Sequence, residues 1–328
     1  MLNFLIRRLI YMAITVLFIS LISFIIVELP KGTFLDVKIE QLRQAGGNLE
    51  QDQINELIQR YGLYDPFYVK YWKWVKGFVR GDFGESFAMN KPVKDLIWSR
   101  LGFTLGLSVF SLIFSWGISI PLGVYSATHR YTIPDYFLSI FQFIGVAIPS
   151  FLLALVLVLF AIKVIHQKHV IGLFSDQFVN ASWSGPRIVD MLKHLWIPVT
   201  IMAFTSTAWL TRVMRANLLD VLNMQYVQTA RSKGLAENVV IWKHAVRNAI
   251  HPLVMALGMS LPGLISGGTV IEQVLNLPSA GPLMFTSMTN QDIYLAVTFL
   301  TMLCLATVMG NFLADLMLAW VDPRVRLE

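Results

Sequence analysis

Asn223-Met-Gln-Tyr-Val-Gln-Thr-Ala-Arg-Ser-Lys-Gly-Leu-Ala-Glu-Asn-Val-Val-Ile-Trp-Lys-His-Ala-Val-Arg-Asn-Ala249 is a polar interval between two long apolar runs. Tyr226 to Lys233 reads as a short helix, and Gly234 as its cap, because a sharp turn needs a residue tolerant of positive φ. Leu235, Val239, Trp242 and Val246 recur at i, i+4, i+7 and i+11, which marks one face of a second helix. Two short helices joined at a glycine make a compact knob between two spans. Exposed apolar and basic residues on such a knob suit docking into a partner's groove. The same spacing also fits an ordinary helical hairpin held by its own span ends.

The apolar runs on either side set the class of the chain. Of its 328 residues 55% are hydrophobic and 14% charged, against about 25% charged in soluble domains, and the mean hydropathy is +0.61. Runs of about 20 apolar residues cross a bilayer as helices. Six are legible, near residues 9–27, 103–127, 136–162, 195–214, 252–271 and 294–320. The expected architecture is therefore all-α and transmembrane, with an N-terminal anchor helix (1–30), an extracytoplasmic amphipathic segment (31–100) and a five-helix core (101–323). The knob sits in a cytoplasmic loop (215–250), and a charged tail (324–328) follows. The first run has a basic start at Arg7 and Arg8 but lacks a small-residue cleavage site at Glu28-Leu29-Pro30-Lys31, so it reads as an anchor. Six crossings from a cytoplasmic N-terminus return the C-terminus to the cytoplasm. The basic residues of the short inward segments, among them Arg130, Arg215, Arg231, Arg247 and Arg324, agree with that orientation.

In the segment before the second run, 52–61 places Ile54, Leu57, Ile58 and Tyr61 on one helical face. Asp65-Pro66 reads as an N-cap followed by a first-turn proline. Tyr68, Tyr71, Trp72, Val75 and Phe78 then make an aromatic stripe beside Lys70, Lys73 and Lys76. That helix fits lipid headgroups and fits packing within its own small domain equally well. The formal charge of +6 is accounted for by topology, and no nucleic-acid signature accompanies it. The single cysteine, Cys304, lies in an apolar run and reads as a small buried hydrophobe.

The stretch Gln228-Thr229-Ala230-Arg231-Ser232-Lys233-Gly234 resembles the EAA loop of binding-protein-dependent ABC importer permeases, whose motif is Glu-Ala-Ala, three residues, then Gly. Gln228 takes the Glu position and Thr229 the first Ala, while Ala230 and Gly234 match. The continuation His244-Ala245-Val246-Arg247-Asn248 is similar to the dipeptide/oligopeptide subfamily. So are Gly81-Asp82-Phe83-Gly84-Glu85-Ser86, Tyr61-Gly62-Leu63-Tyr64-Asp65-Pro66, Gly310-Asn311-Phe312-Leu313-Ala314-Asp315 and Asp322-Pro323-Arg324. The resemblance thus covers nearly the whole chain.

That resemblance implies a coupling helix seated in a groove of an ATP-hydrolysing subunit. It puts Gly234, Leu235, Ala236 and Glu237 at or near the contact, with Arg231, Lys233 and Arg247 as a polar rim. Gln228 in place of Glu removes any salt bridge expected there. The implied assembly has a second, homologous permease, two ATP-binding subunits and an extracytoplasmic substrate-binding protein, in a plasma (inner) membrane. The implied cargo is a short peptide, with oligosaccharides or nickel as the subfamily's other cargoes. This chain has no Gly-x-x-x-x-Gly-Lys-Ser/Thr phosphate loop, so ATP and Mg belong to the partner subunits. No cofactor or metal is expected on this chain, because its six histidines are scattered and no nucleophile sits in a recognisable motif.

The translocation route is less marked. Ser139, Gln142 and Ser150 on the third run, and Thr205, Ser206 and Thr211 on the fourth, are candidates to line it, although each also fits a helix–helix hydrogen bond. Gly258, Pro262, Gly263, Gly267 and Gly268 loosen the fifth run. Freed backbone at membrane depth favours a pathway-lining helix, and close packing through small residues is the alternative. Glu272 is expected to face water at the outer end of that run. Asp315, ionisable in or near a span, fits a functional role by default, but its neighbours Asn311 and Trp320 favour a structural tie near the cytoplasmic end. An ion-coupled secondary transporter would need ionisable groups at the midplane, and a membrane-embedded enzyme would need paired catalytic residues at one depth. Neither pattern is evident in the second to fifth runs.

Overall fold

The computed structural model describes residues 2–29, 65–167, 169–266 and 268–321. The amphipathic stretch at 52–61, Gly267, and the tail from 322 onward lie outside them, as do the side chains of Asp315 and Trp320. Among the described residues, four helices are long and apolar enough to cross a membrane. Two bent helix pairs bring the candidate crossings to six.

The first long helix, α1 (Leu2–Glu28), leads to the amphipathic α2 (Phe67–Val79). A two-residue hairpin pairs β1 (Glu85–Ser86) antiparallel to β2 (Lys91–Pro92) and opens directly into α3 (Val93–Thr128). At 36 residues α3 is about 54 Å long, so it outruns the roughly 30 Å hydrocarbon core. Its helix starts ten residues before the apolar run because Val93, Ile97 and Leu101 bury one face against Leu283, Leu295 and Phe299.

The third run is not one straight span. It forms α4 (Ile133–Ala147) and α5 (Ser150–Lys163), bent by 106°. Pro149 is the cause. It has no N–H for the helical ladder, and it drives Ile148 out of the helical region to φ −81°, ψ 122°. The fourth run lies within α6 (Gly185–Leu222), which packs along α3 and continues eight residues past Met214. The knob begins with α7 (Gln225–Ser232). The fifth run is broken into α8 (His251–Met259), α9 (Leu261–Ser266) and α10 (Thr269–Val274), with a bend of 45° after α8. Then α11 (Ala280–Thr289) folds back, and α12 (Ile293–Val321) closes the bundle.

Small residues decide where the helices cross. A Cβ on Gly123 of α3 would lie 2.6 Å from Met214 Cβ of α6, and one on Gly258 of α8 would run into Gly310 and Ala314 of α12. Gly258 is therefore a packing glycine. Gly263, with nothing within 4 Å of its would-be Cβ, is not.

The amphipathic α2 buries only part of the aromatic stripe, with Tyr71, Val75 and Phe78 packed against Phe24 and Trp74. Trp74 and Lys70 are buried, and Tyr68 and Trp72 are exposed. Trp74 packs with Phe24 and Val297 and donates its indole N–H to Thr298 Oγ1 at 3.2 Å, while Lys70 pairs with Glu28 of α1. Pro66, not Asp65, occupies the N-cap, and Asp65 instead accepts a hydrogen bond from Lys73 at 2.7 Å. Glu272 also departs from expectation. It is fully buried and accepts a hydrogen bond from Ser279 Oγ at 2.9 Å, because the chain turns back after α10 and lays α11 over it.

Candidate functional site

The knob is built on a left-handed glycine. Gly234 sits at φ +72°, and its N–H donates to Arg231 O at 2.9 Å, closing α7. Arg231 reaches across the turn to Glu237, with Nη2 2.7 Å from Oε1. That bond holds the Glu237 carboxyl below its usual range and raises the Arg231 guanidinium. After the turn come a short helical stretch (Glu237–Val239), a π-helical stretch (Val240–Ala245) and a final α-turn (Val246–Ala249). The wide π-turn rephases the apolar residues. Leu235, Val239 and Trp242 stay on the outside, at 41%, 40% and 49% exposure, whereas Val246 rotates inward to 7%.

The inner face of the knob is cored. Val227, Ala230, Val240, Ile241 and Ala245 pack with Met214 and Leu218 of α6 and Val124 and Ala127 of α3. Tyr226 and Asn248 bridge its two helices, with Nδ2 donating to the phenol oxygen at 2.7 Å. The knob is thereby packed against two long helices. Gln228 is exposed, its amide donating to Leu222 O at 3.3 Å, and Lys233, Ala236 and Arg247 are exposed as well.

Beside the knob, Asp135 at the start of α4 takes a two-pronged ion pair from Arg215 of α6, with Nε at 2.9 Å and Nη2 at 2.8 Å. Ser126 Oγ of α3 also donates to this carboxylate, and Tyr131 N–H donates at 3.0 Å. The group ties three helices together where α6 enters the knob. Its charge-assisted fork is the strong form of such a bond.

Deeper in the bundle lies a cleft with two adjoining lobes of about 370 and 300 Å³. The lobes share Leu112 of α3, Thr205 and Ser206 of α6, and Ser260 at the α8–α9 break. Ser115, Trp116 and Trp209 line one lobe, and Ser108, Ser111, Ser150 and Gly263 line the other. Both broken spans thus place residues of their break, Ser150 and Ser260, on the same cleft. Irregular backbone at membrane depth is tolerated where it faces protein or a water-filled cavity.

The chain matches the family described as binding-protein-dependent transport system inner membrane component over residues 119–327, and its N-terminal counterpart over 1–108. The chain belongs to this family. The oligopeptide transport system permease protein AppB of Bacillus subtilis (strain 168) is 36% identical across 98% of both chains. The glutathione transport system permease protein GsiC of Escherichia coli (strain K12) is 29% identical across the full length of both. A chain of the MetNI methionine ABC transporter, in a structure of its inward-facing conformations, shares the fold at a TM-score of 0.51. It is 17% identical and covers 69% of this chain and 96% of its own. This chain is accordingly a multi-pass inner-membrane permease subunit of an ABC importer. ATP hydrolysis is carried by a partner subunit, and substrate arrives from a binding protein.

Of the candidate pathway residues in this permease, Ser150, Thr205 and Ser206 come together on the cleft. Gln142 and Thr211 are buried, at 4% and 0% exposure, and neither they nor Ser139 and Pro262 are among the cleft's lining residues. Sequence reading passed over the second span, where Ser108, Ser111 and Ser115 line the cleft. Their i, i+3, i+7 spacing in an otherwise apolar run was the available signal.

Proposed function

We propose that this permease translocates short peptides, pairs with a second, homologous permease, and docks one of the importer's two ATP-binding subunits through its knob. Leu235, Val239 and Trp242 would enter the ATPase groove, rimmed by Arg231, Lys233, Glu237 and Arg247. An extracytoplasmic binding protein would deliver the cargo. Both termini would lie in the cytoplasm, and ATP-driven closure of the ATPases would tilt the permease halves to alternate access.

The observation that carries this reading is the division of the knob into two faces. One is cored into α3 and α6, and the other leaves three large apolar side chains exposed around a left-handed glycine. A solvated hairpin gains nothing by exposing that face, whereas a docked one buries it. The peptide cargo is supported by the names of the oligopeptide and glutathione relatives. Gentle affinity purification from the native membrane, followed by mass spectrometry, tests the assembly. A second permease and ATPase subunits are expected in the eluate. Recovery of this chain alone, active in proton- or sodium-driven uptake, would overturn the proposal in favour of a secondary transporter.

A further inference from the structure

The cleft carries hydrogen-bonding capacity that the protein leaves unused. Ser108 and Ser111 are each 4% exposed, line the cleft, and have hydroxyls with no hydrogen-bond partner among the described residues. Thr205 Oγ1 is in the same condition. Buried polar groups in folded proteins are nearly always satisfied, so each exception requires an explanation. Ser115, one turn further along α3, is the contrast, since its hydroxyl is within hydrogen-bonding distance of Ser111 O (2.7 Å) and Ala203 O (3.3 Å). The unpartnered hydroxyls lie where the two broken spans converge.

The charge pattern of the lining is equally specific. Every residue that lines either lobe is neutral. The acid and base nearest in sequence to this lining, Glu272 and Arg212, are not part of it: Glu272 is buried and accepts a hydrogen bond from Ser279 Oγ, and Arg212 lies over the Phe143 ring. A site without fixed charge gives neither cations nor anions an advantage, and discrimination rests on hydrogen bonds and shape.

We propose, resting on the importer reading above, that this cleft is the chain's own cargo contact. It takes uncharged hydrogen-bonding groups, namely cargo amides or hydroxyls, through Ser108, Ser111 and Thr205, and it is indifferent to cargo charge. Trp116 and Trp209 supply the apolar wall against which the cargo slides. Charge selection, where the importer has any, then belongs to the other subunits.

The test uses the whole importer in proteoliposomes. Ser108→Cys and Ser111→Cys are introduced separately in a Cys304→Ala background, with Val109→Cys on the outward side of the same helix as control. Cationic, neutral and anionic methanethiosulfonates are applied, and each rate is normalised to that reagent's rate with free cysteine. Both serine-site thiols are expected to react, with the three normalised rates agreeing within about threefold, while the Val109→Cys thiol resists the charged reagents. Tetra-alanine or maltotetraose, added with the binding protein and ATP, is expected to slow the reaction at least about fivefold. Protection by the former assigns the contact to amides, and by the latter to sugar hydroxyls. Inert thiols, a preference above about tenfold for one charge, or protection by neither compound would each refute the inference. If the importer assembles with its ATPases and hydrolyses ATP while the thiols stay inert, this inference fails alone. If no ATPase subunit assembles, the importer reading itself fails.

Discussion

Gly234 offers the most direct test of the knob. A Cβ there would meet nothing within 4 Å, so alanine adds no clash, and its whole cost comes from holding an L-residue at φ +72°. That cost is about 1–2 kcal/mol, a factor of roughly 5–30 in the population of the turn. The cored inner face and the Arg231–Glu237 bridge oppose the loss, although an exposed ion pair adds under about 1 kcal/mol. Gly234→Ala should therefore lower uptake severalfold, and Gly234→Asn less, because asparagine tolerates the left-handed region. Proline differs in kind. Its ring fixes φ near −65°, and its missing N–H forfeits the 2.9 Å bond to Arg231 O. Gly234→Pro should leave the chain inserted and abolish uptake. The assay measures cargo uptake and ATP hydrolysis by the reconstituted importer, with membrane abundance as control. A proline variant with full uptake, or an alanine variant worse than proline, would refute the argument.

Asp135→Ala should lower thermal stability in detergent by about 3 kcal/mol, since it strands a largely buried guanidinium. Adding Arg215→Leu should restore part of that loss, and a double variant less stable than the single would contradict it. Gly310→Val should fail to accumulate, because its side chain would enter the backbone of Gly258, whereas Gly263→Ala should accumulate normally; membrane abundance decides between them. Asp292 lies just before α12, fully buried, and accepts a hydrogen bond from Ser86 Oγ at 2.5 Å. Burial pushes its carboxyl above the ordinary 3.8. The folded protein then holds this proton to higher pH than the unfolded chain does. Its contribution to stability is largest below the ordinary value and falls as pH rises through the folded one. Asp292→Asn should flatten that part of the curve of melting temperature against pH, and an unchanged slope would sink the assignment.

The sequence by itself determined the class of the protein, the approximate places of its apolar runs, and the knob. Twenty apolar residues have few fates other than a bilayer or a core. A polar interval ending a helix at Lys233-Gly234 permits one kind of turn. Those signals are local, and α7 with its left-handed glycine follows from them.

Tertiary structure alone decided which side of each span faces protein. In water, periodicity reports the buried face because the other face must be polar. In a bilayer both lipid and protein accept apolar side chains, so the pattern falls silent. That is why the serines of α3 went unread, whereas Val246 joined the wrong stripe because the π-turn of the knob shifts the helical phase, and Glu272 appeared to face water because α11 folds back over it. Pro149 was visible in the sequence, but the 106° bend it permits depends on α4 and α5 each finding its own place on α6. The convergence of Ser150 and Ser260 on one cleft is a product of that packing, since 110 positions separate them along the chain.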